Sequence, residues 1–296
     1  MTTTLDLELE AGMSRAARLR RWARENPLLA FGVVSVGVIV ASALFAPWLA
    51  PFPGDAGSST HPLSILGSPS WHHPFGTDQV GRDILSRIIY GARVSPLIAV
   101  VVLFFAAIVG VPLGLVAGYF GGVVDDVVMR VTDVFLAVPA LLLALALASV
   151  LTPTIGSTIL AIAVTWWPWY ARLVRGEAAS VRGRRYIESC QALGLPRWRI
   201  LLRHVLPNSI TPVLVQVSLD FGTVILTASA LSFLGLGVQD PTPDWGLLVS
   251  EGQTYFTTNW WVVTFPGLAI LLTALAFNIL GDGLRDRLDP RHGILR

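Results

Sequence analysis

Between Val134 and Ala171 the chain reads VFLAVPALLLALALASVLTPTIGSTILAIAVTWWPWYA, 38 residues without a formal charge. A helix crosses the roughly 30 Å hydrocarbon core of a bilayer with about 20 apolar residues, so this run is too long for one crossing. Near its middle stands Thr152-Pro153-Thr154-Ile155-Gly156, a turn signal. Two spans follow, near residues 132–151 and 155–171. Further charge-free stretches near 28–49, 95–119, 209–236 and 260–281 bring the expected total to six. The fold class is an all-α membrane protein.

Composition agrees. The chain is 53% hydrophobic and 14% charged, with a mean hydropathy of +0.65, too apolar for an ordinary water-soluble domain. All 21 basic residues are arginine, and lysine does not occur. A net charge of +2 does not point to nucleic acid, because the arginines cluster beside apolar spans, as membrane topology requires. The single cysteine, Cys190, excludes an intrachain disulfide and a cysteine-based metal cluster. Arg15, Arg18, Arg20, Arg21 and Arg24 precede an uncharged run from Pro27 to Pro51. That run exceeds the apolar core of a signal peptide and reads as a retained first helix.

With the N-terminus in the cytoplasm, five arginines lie in the tail, Arg130 in the second connection, eight between Arg172 and Arg203, and four beyond the last span. Only Arg82, Arg87 and Arg93 then fall outside. Such asymmetry orients a membrane protein, so both termini are expected to be cytoplasmic. The expected organisation is a tail (1–26), a first span with an outer segment (27–94), a core (95–285) containing a cytoplasmic segment at 172–208, and a second tail (286–296). Trp48, Trp166, Trp167, Trp169, Trp260 and Trp261 lie at span ends, where an amphipathic ring suits either the interface or helix packing.

The inner segment contains RYIESCQALGLPRWRILLRHVLPN from Arg185 to Asn208. Tyr186, Cys190 and Leu193 share a helical face, Gly194 is placed as a left-handed cap, and Pro196 is placed to begin a second helix. There Trp198, Leu201, Leu202 and Val205 form an apolar stripe opposite Arg199 and Arg203, and Pro207 is expected to stop it. Two short amphipathic helices meeting at a glycine would form a compact cytoplasmic protrusion.

These residues resemble the EAA loop of bacterial ABC importers, in which Glu-Ala-Ala precedes a glycine and a later Leu-Pro. Two registers fit at equal spacing: Glu177-Ala178-Ala179 with Gly183 and Leu195-Pro196, or Glu188-Ser189-Cys190 with Gly194 and Leu206-Pro207. The second is preferred because only it carries the apolar stripes; Ser and Cys replace Ala as small residues. Further blocks resemble the dipeptide, oligopeptide and nickel permease family: HPFGTDQVGRDILSRIIYGARVS from His73 to Ser95, ALSFLGLG from Ala230 to Gly237 with Trp245-Gly246, and NILGDGLRD from Asn278 to Asp286 with Leu288-Asp289-Pro290. Together they cover nearly everything after residue 25.

The resemblance implies a type I (MetI-like) permease in the plasma (inner) membrane of a bacterium, working with a second homologous permease, two ATP-binding subunits and an external solute-binding protein. It implies that Tyr186, Glu188, Ser189, Cys190, Ala192, Leu193, Gly194, Arg197 and Trp198 form the surface that couples to the ATPase. A membrane-surface amphipathic segment is the alternative reading of that stretch. Peptide is the expected solute, with nickel or another small solute as the alternative.

A P-loop needs a lysine to reach the terminal phosphates, and this chain has none. ATP and magnesium are therefore expected in the partner subunits, with no cofactor, catalytic residue or metal site here. Relatives often carry Glu where this chain has Ala228. Asp220 lies about two turns earlier, either facing the pathway or locally paired as a structural acid. An ion-driven transporter would depend on it, as the one mid-span ionisable residue. His72 and His73 are expected to be structural. Gly76-Thr77-Asp78 and Gly81-Arg82-Asp83 suggest a turn and a helix start, with Asp83 near the N-terminus of that helix.

Overall fold

The computed structural model describes residues 15–288. Its elements are α1 (Arg15–Glu25), α2 (Pro27–Leu49), α3 (Ile84–Phe120), α4 (Gly122–Leu136), α5 (Ala140–Val150), α6 (Ile155–Arg182), α7 (Arg185–Ala192), α8 (Arg197–Ile200), α9 (Leu206–Phe233), α10 (Trp245–Gly252) and α11 (Trp261–Leu288), with no strand among the described residues. Asp289 and Pro290 of the Leu288-Asp289-Pro290 block and most of the 286–296 tail lie outside the described residues.

Four helical stretches are long and apolar enough to cross a bilayer: Pro27–Leu49, Ile84–Phe120, Arg197–Phe233 and Trp261–Asp286. The bent pair α4 and α5 makes a fifth if it is one span. Their outer faces carry exposed Val34, Phe104, Leu226 and Leu271, an apolar surface that only lipid or another apolar partner suits.

The long uncharged run divides as expected at Thr154, whose side chain accepts from the Ser157 N–H in a capping box that starts α6. The span expected at 132–151 is not one helix. α4 and α5 meet at an 80° bend, with Pro139 in extended backbone (ψ 128°) as the N-cap of α5. Proline lacks an N–H and disfavours helical backbone at the residue before it, so α4 ends ahead of Pro139.

α3 and α6 form the centre of the bundle. Gly110, Gly114 and Gly118, spaced four residues apart on α3, pack directly on the α6 backbone at Trp167, Ala171 and Arg175. A Cβ on Gly110 would stand 2.7 Å from the Tyr170 Cβ, and one on Gly118 2.8 Å from the Ala178 Cβ. A ridge of small residues brings membrane helices close enough for backbone-to-backbone contact. α9 packs on α11 through Gly222 beside Ala274 and through Phe221 stacked on Phe277, with ring centroids 3.6 Å apart. Ile98, Val102, Ala106, Ile162, Tyr170, Val174 and Ile225 fill the core between these helices.

α3 begins at Ile84, eleven residues before the expected 95, and contains Arg87 and Arg93. Asp83 caps it, accepting from the Ser86 N–H at 2.8 Å, as its position suggested. Arg87 is fully buried because acids from distant sequence surround it: Asp78 at 2.7 Å and Glu251 at 2.7 Å, with Asp240 at 3.3 Å. Arg82 joins Asp78 at 2.8 Å and Asp240 at 2.7 Å. Burial alone would draw the Arg82 guanidinium down, but Asp78 and Asp240 hold it charged. This cluster ties the first outer segment to the loop around α10. α10 is in turn seated on α3, with Asp244 accepting from the Ser95 hydroxyl at 2.7 Å and the Trp245 indole donating to the Ile88 carbonyl at 3.0 Å.

Candidate functional site

α7 stands at the end of α6: Ile187 is fully buried and Cys190, half-buried, packs on the same core, whereas Tyr186, Glu188, Ser189, Ala192, Leu193, Gly194, Arg197 and Trp198 are exposed. Gly194 takes φ +74°, the left-handed cap expected at the end of such a helix. The Gly194 N–H donates to the Gln191 carbonyl and the Leu195 N–H to the Cys190 carbonyl, which turns the chain sharply into Pro196. Beyond the turn, Leu195 packs against the core. Leu193, 81% exposed, and Trp198, 59% exposed with the Arg199 guanidinium 5.7 Å from its ring centroid, flank Gly194 as apolar side chains open to solvent.

The predicted second short helix takes a different form. Pro196 is its N-cap rather than its first helical residue, and Pro207 does not stop it. Leu201–Val205 forms a π turn in which the Leu206 N–H donates to the Leu201 carbonyl. The wider turn provides an opening for Pro207 ahead of its missing donor, so the helix continues without a gap from Arg197 to Phe233. The expected stripe also divides: Leu201 and Val205 are buried inward, while Trp198 and Leu202 are exposed. Trp198 lies in the first turn of a helix that continues to Phe233.

Glu177-Ala178-Ala179, the other register, lies inside α6 with Ala178 fully buried under Gly118. It forms no protrusion.

Asp220 lies in α9 with its carboxylate between two neutral donors, the Tyr170 hydroxyl at 2.9 Å and the Gln216 amide at 2.9 Å. No salt bridge reaches it among the described residues. By contrast, Asp125 and Asp133 of α4 pair with Arg175 and Arg172 of α6.

The Asp83 carboxylate accepts a hydrogen bond from Nδ1 of His73 at 2.9 Å, and the His73 ring packs on Phe52. His72 packs edge-on against Phe52 and His73. No group of three or more His, Cys, Asp or Glu among the described residues is placed to hold a metal ion.

Sequence reading missed two features. The glycine ridge was legible in its four-residue spacing. The pairing of Arg82 and Arg87 with Asp240 and Glu251 left no local signal, since more than 150 residues separate the partners.

Comparison with known proteins adds three findings. The family described as binding-protein-dependent transport system inner membrane component matches residues 110–293. Among curated proteins, the chain is 42% identical over 277 residues to a probable D,D-dipeptide transport system permease of Escherichia coli, covering 94% of this chain and 92% of that one. It is 42% identical over 268 residues to a dipeptide transport system permease of Alkalihalophilus pseudofirmus, covering 90% and 87%. It is 40% identical over 272 residues to a glutathione transport system permease of Pectobacterium atrosepticum, covering 92% and 89%. Among solved structures, the fold is similar to a chain of an inward-facing methionine ABC transporter, with a TM-score of 0.57 at 16% identity, covering 69% of this chain and 97% of that one.

Proposed function

The chain belongs to the family of binding-protein-dependent transport system inner membrane components, and from that premise we propose that it is one of two permease subunits of an ATP-driven importer of di- or oligopeptides. The curated relatives are named for dipeptide, D,D-dipeptide and glutathione transport, which supports a peptide solute. Six spans with both termini in the cytoplasm follow if the bent pair α4 and α5 is one crossing and α6 another. The arginine distribution supports that orientation.

The observation that carries the coupling role is the exposed apolar pair Leu193 and Trp198, flanking the left-handed Gly194 on a helix anchored by Ile187. A hydrophobic pair held rigidly in water suits a pocket on a partner. With no lysine for a P-loop, that partner is the subunit that binds ATP and magnesium, and this chain is not itself an enzyme. Tyr186, Glu188, Ser189, Cys190, Ala192 and Arg197 complete the docking surface. Closure of the two ATPases shifts the permeases between inward-open and outward-open states because each nucleotide state favours one arrangement of the docked surface. An external solute-binding protein delivers the peptide. Asp220 contributes to the polar lining of the pathway, supported by its neutral donors and lack of an ion-pair partner among the described residues.

Purification from native membranes tests this. The second permease and the ATPases should co-isolate with this chain, and proteoliposomes of the assembly should take up a dipeptide only with ATP and the binding protein. Uptake by this chain alone, driven by an ion gradient, would overturn the proposal.

A further inference from the structure

Beside α7 a polar cleft of about 400 Å³ opens between Tyr119 and Phe120 at the end of α3, Arg182 at the end of α6, Gln191 of α7, Leu195 and Arg197. On α6, Arg172 and Arg175 are neutralised by Asp133 and Asp125 of α4. Arg182, two turns further on, has no carboxylate within ion-pair distance among the described residues; its guanidinium donates to the Phe120 carbonyl at 3.3 Å. Gly121 helps to hold it there, since a Cβ at that position would stand 2.8 Å from Nη1 of Arg182. Arg197 faces the same cleft without an acidic partner among the described residues. Tyr119 is 4% exposed, yet its hydroxyl is buried without a hydrogen-bond partner. That hydroxyl is closed off from the cleft, whereas two guanidinium groups that share the cleft and have no carboxylate partner among the described residues suit an oxyanion that accepts from both.

We propose that this cleft binds a phosphate-type oxyanion, supplied by the headgroup of an anionic phospholipid, and thereby ties the coupling region to the membrane surface. Its position favours the lipid. Tyr119 and Phe120 end a candidate span, and exposed Phe120 provides an apolar flank for an acyl chain of the lipid. The site rests on the topology proposed above, with residues 172–208 in the cytoplasm. Arg197 borders both this cleft and the docking surface, whereas Arg182 belongs to the cleft alone.

The test uses the complete importer in nanodiscs of phosphatidylcholine with or without phosphatidylglycerol, and native mass spectrometry to count retained lipid. Wild type should retain phosphatidylglycerol over phosphatidylcholine. Arg182→Gln, outside the docking surface, should weaken that retention by about tenfold with the ATPases still bound. Displacement of the lipid by inorganic phosphate or ATP would keep the oxyanion chemistry and assign a soluble source. Equal phosphatidylglycerol retention in wild type and Arg182→Gln would overturn the proposal, as would loss of the ATPases with lipid retention unchanged, which would assign Arg182 to a protein carboxylate. A failed topology has a separate signature: a membrane-impermeant maleimide would then label native Cys190 in right-side-out rather than inverted vesicles.

Discussion

Gly114 of α3 sits so close to Ala171 of α6 that a Cβ at position 114 would fall well inside van der Waals contact distance of the Ala171 carbonyl oxygen and 3.0 Å from the Arg175 backbone nitrogen. Both obstacles are backbone, and neither has a rotamer that moves aside. Gly114→Leu should therefore separate α3 from α6 and destabilise the chain by at least the 1–3 kcal/mol or so typical of overpacking. Gly37→Ala, with nothing within 4 Å, should leave thermal stability unchanged. Fluorescence-detected size exclusion after heating reads both.

Arg87 is fully buried with Asp78 and Glu251 each at 2.7 Å. Arg87→Met leaves those acids facing one another with only Arg82 to balance them. Breaking one side of a buried ion pair costs about 3–5 kcal/mol. The variant should lower the melting temperature and expose the outer loops to protease added from outside, whereas Arg93→Met, exposed on the same helix and bonded only to carbonyls of α2, should do neither.

The outer segment should loosen in acid. Burial pushes the Asp55 carboxyl upward, but the Asp83 N–H and the His61 and Ser59 side chains outweigh it and hold its pKa below the ordinary 3.8. A carboxylate with a depressed folded pKa contributes stability above its unfolded pKa and loses it as pH falls through the folded value. The loss from Asp55 therefore begins near pH 3.8 and continues below it. Asp55→Asn should be less stable at neutral pH and show a shallower acid transition in a thermal scan between pH 7 and about 3.

Gly194 at φ +74° cannot be replaced by proline, whose ring fixes φ near −65°. Gly194→Pro, and separately Glu188→Arg on the exposed face of α7, should leave ATP hydrolysis running while peptide uptake falls. Normal coupling in both variants would remove the 185–198 surface from the mechanism.

Asp220 accepts from Tyr170 and Gln216, with no cation paired to it among the described residues. Asp220→Asn keeps the shape and removes the charge, so assembly should survive while uptake falls severalfold. Unchanged assembly, uptake and coupled ATPase activity would reduce Asp220 to a structural acid.

Proline shows where sequence reading reaches its limit. Pro139 breaks a helix, whereas Pro96, Pro112, Pro168, Pro212 and Pro266 lie inside helices, and Pro207 is carried through by a π turn. The residue weakens a turn in every case. Whether the helix survives depends on what packs around that turn, and this is a tertiary property. Arg87 marks a similar limit in charge reading, since a span was expected to begin only after the last arginine. Arg87 is helical because Asp78 and Glu251 neutralise it, and no window of local sequence contains both acids.

The sequence alone determined that the chain is a helical membrane protein, that its first span runs almost as expected, that Asp83 and Thr154 start helices and that Gly194 ends one, because hydropathy and capping act over a few residues. The tertiary structure decided the bend at Pro139, the continuity of Arg197–Phe233, the burial of Arg87, the seat of Asp220 and the cleft beneath Arg182. Each depends on which side chains from remote segments meet, and those meetings are set by packing rather than by local propensity.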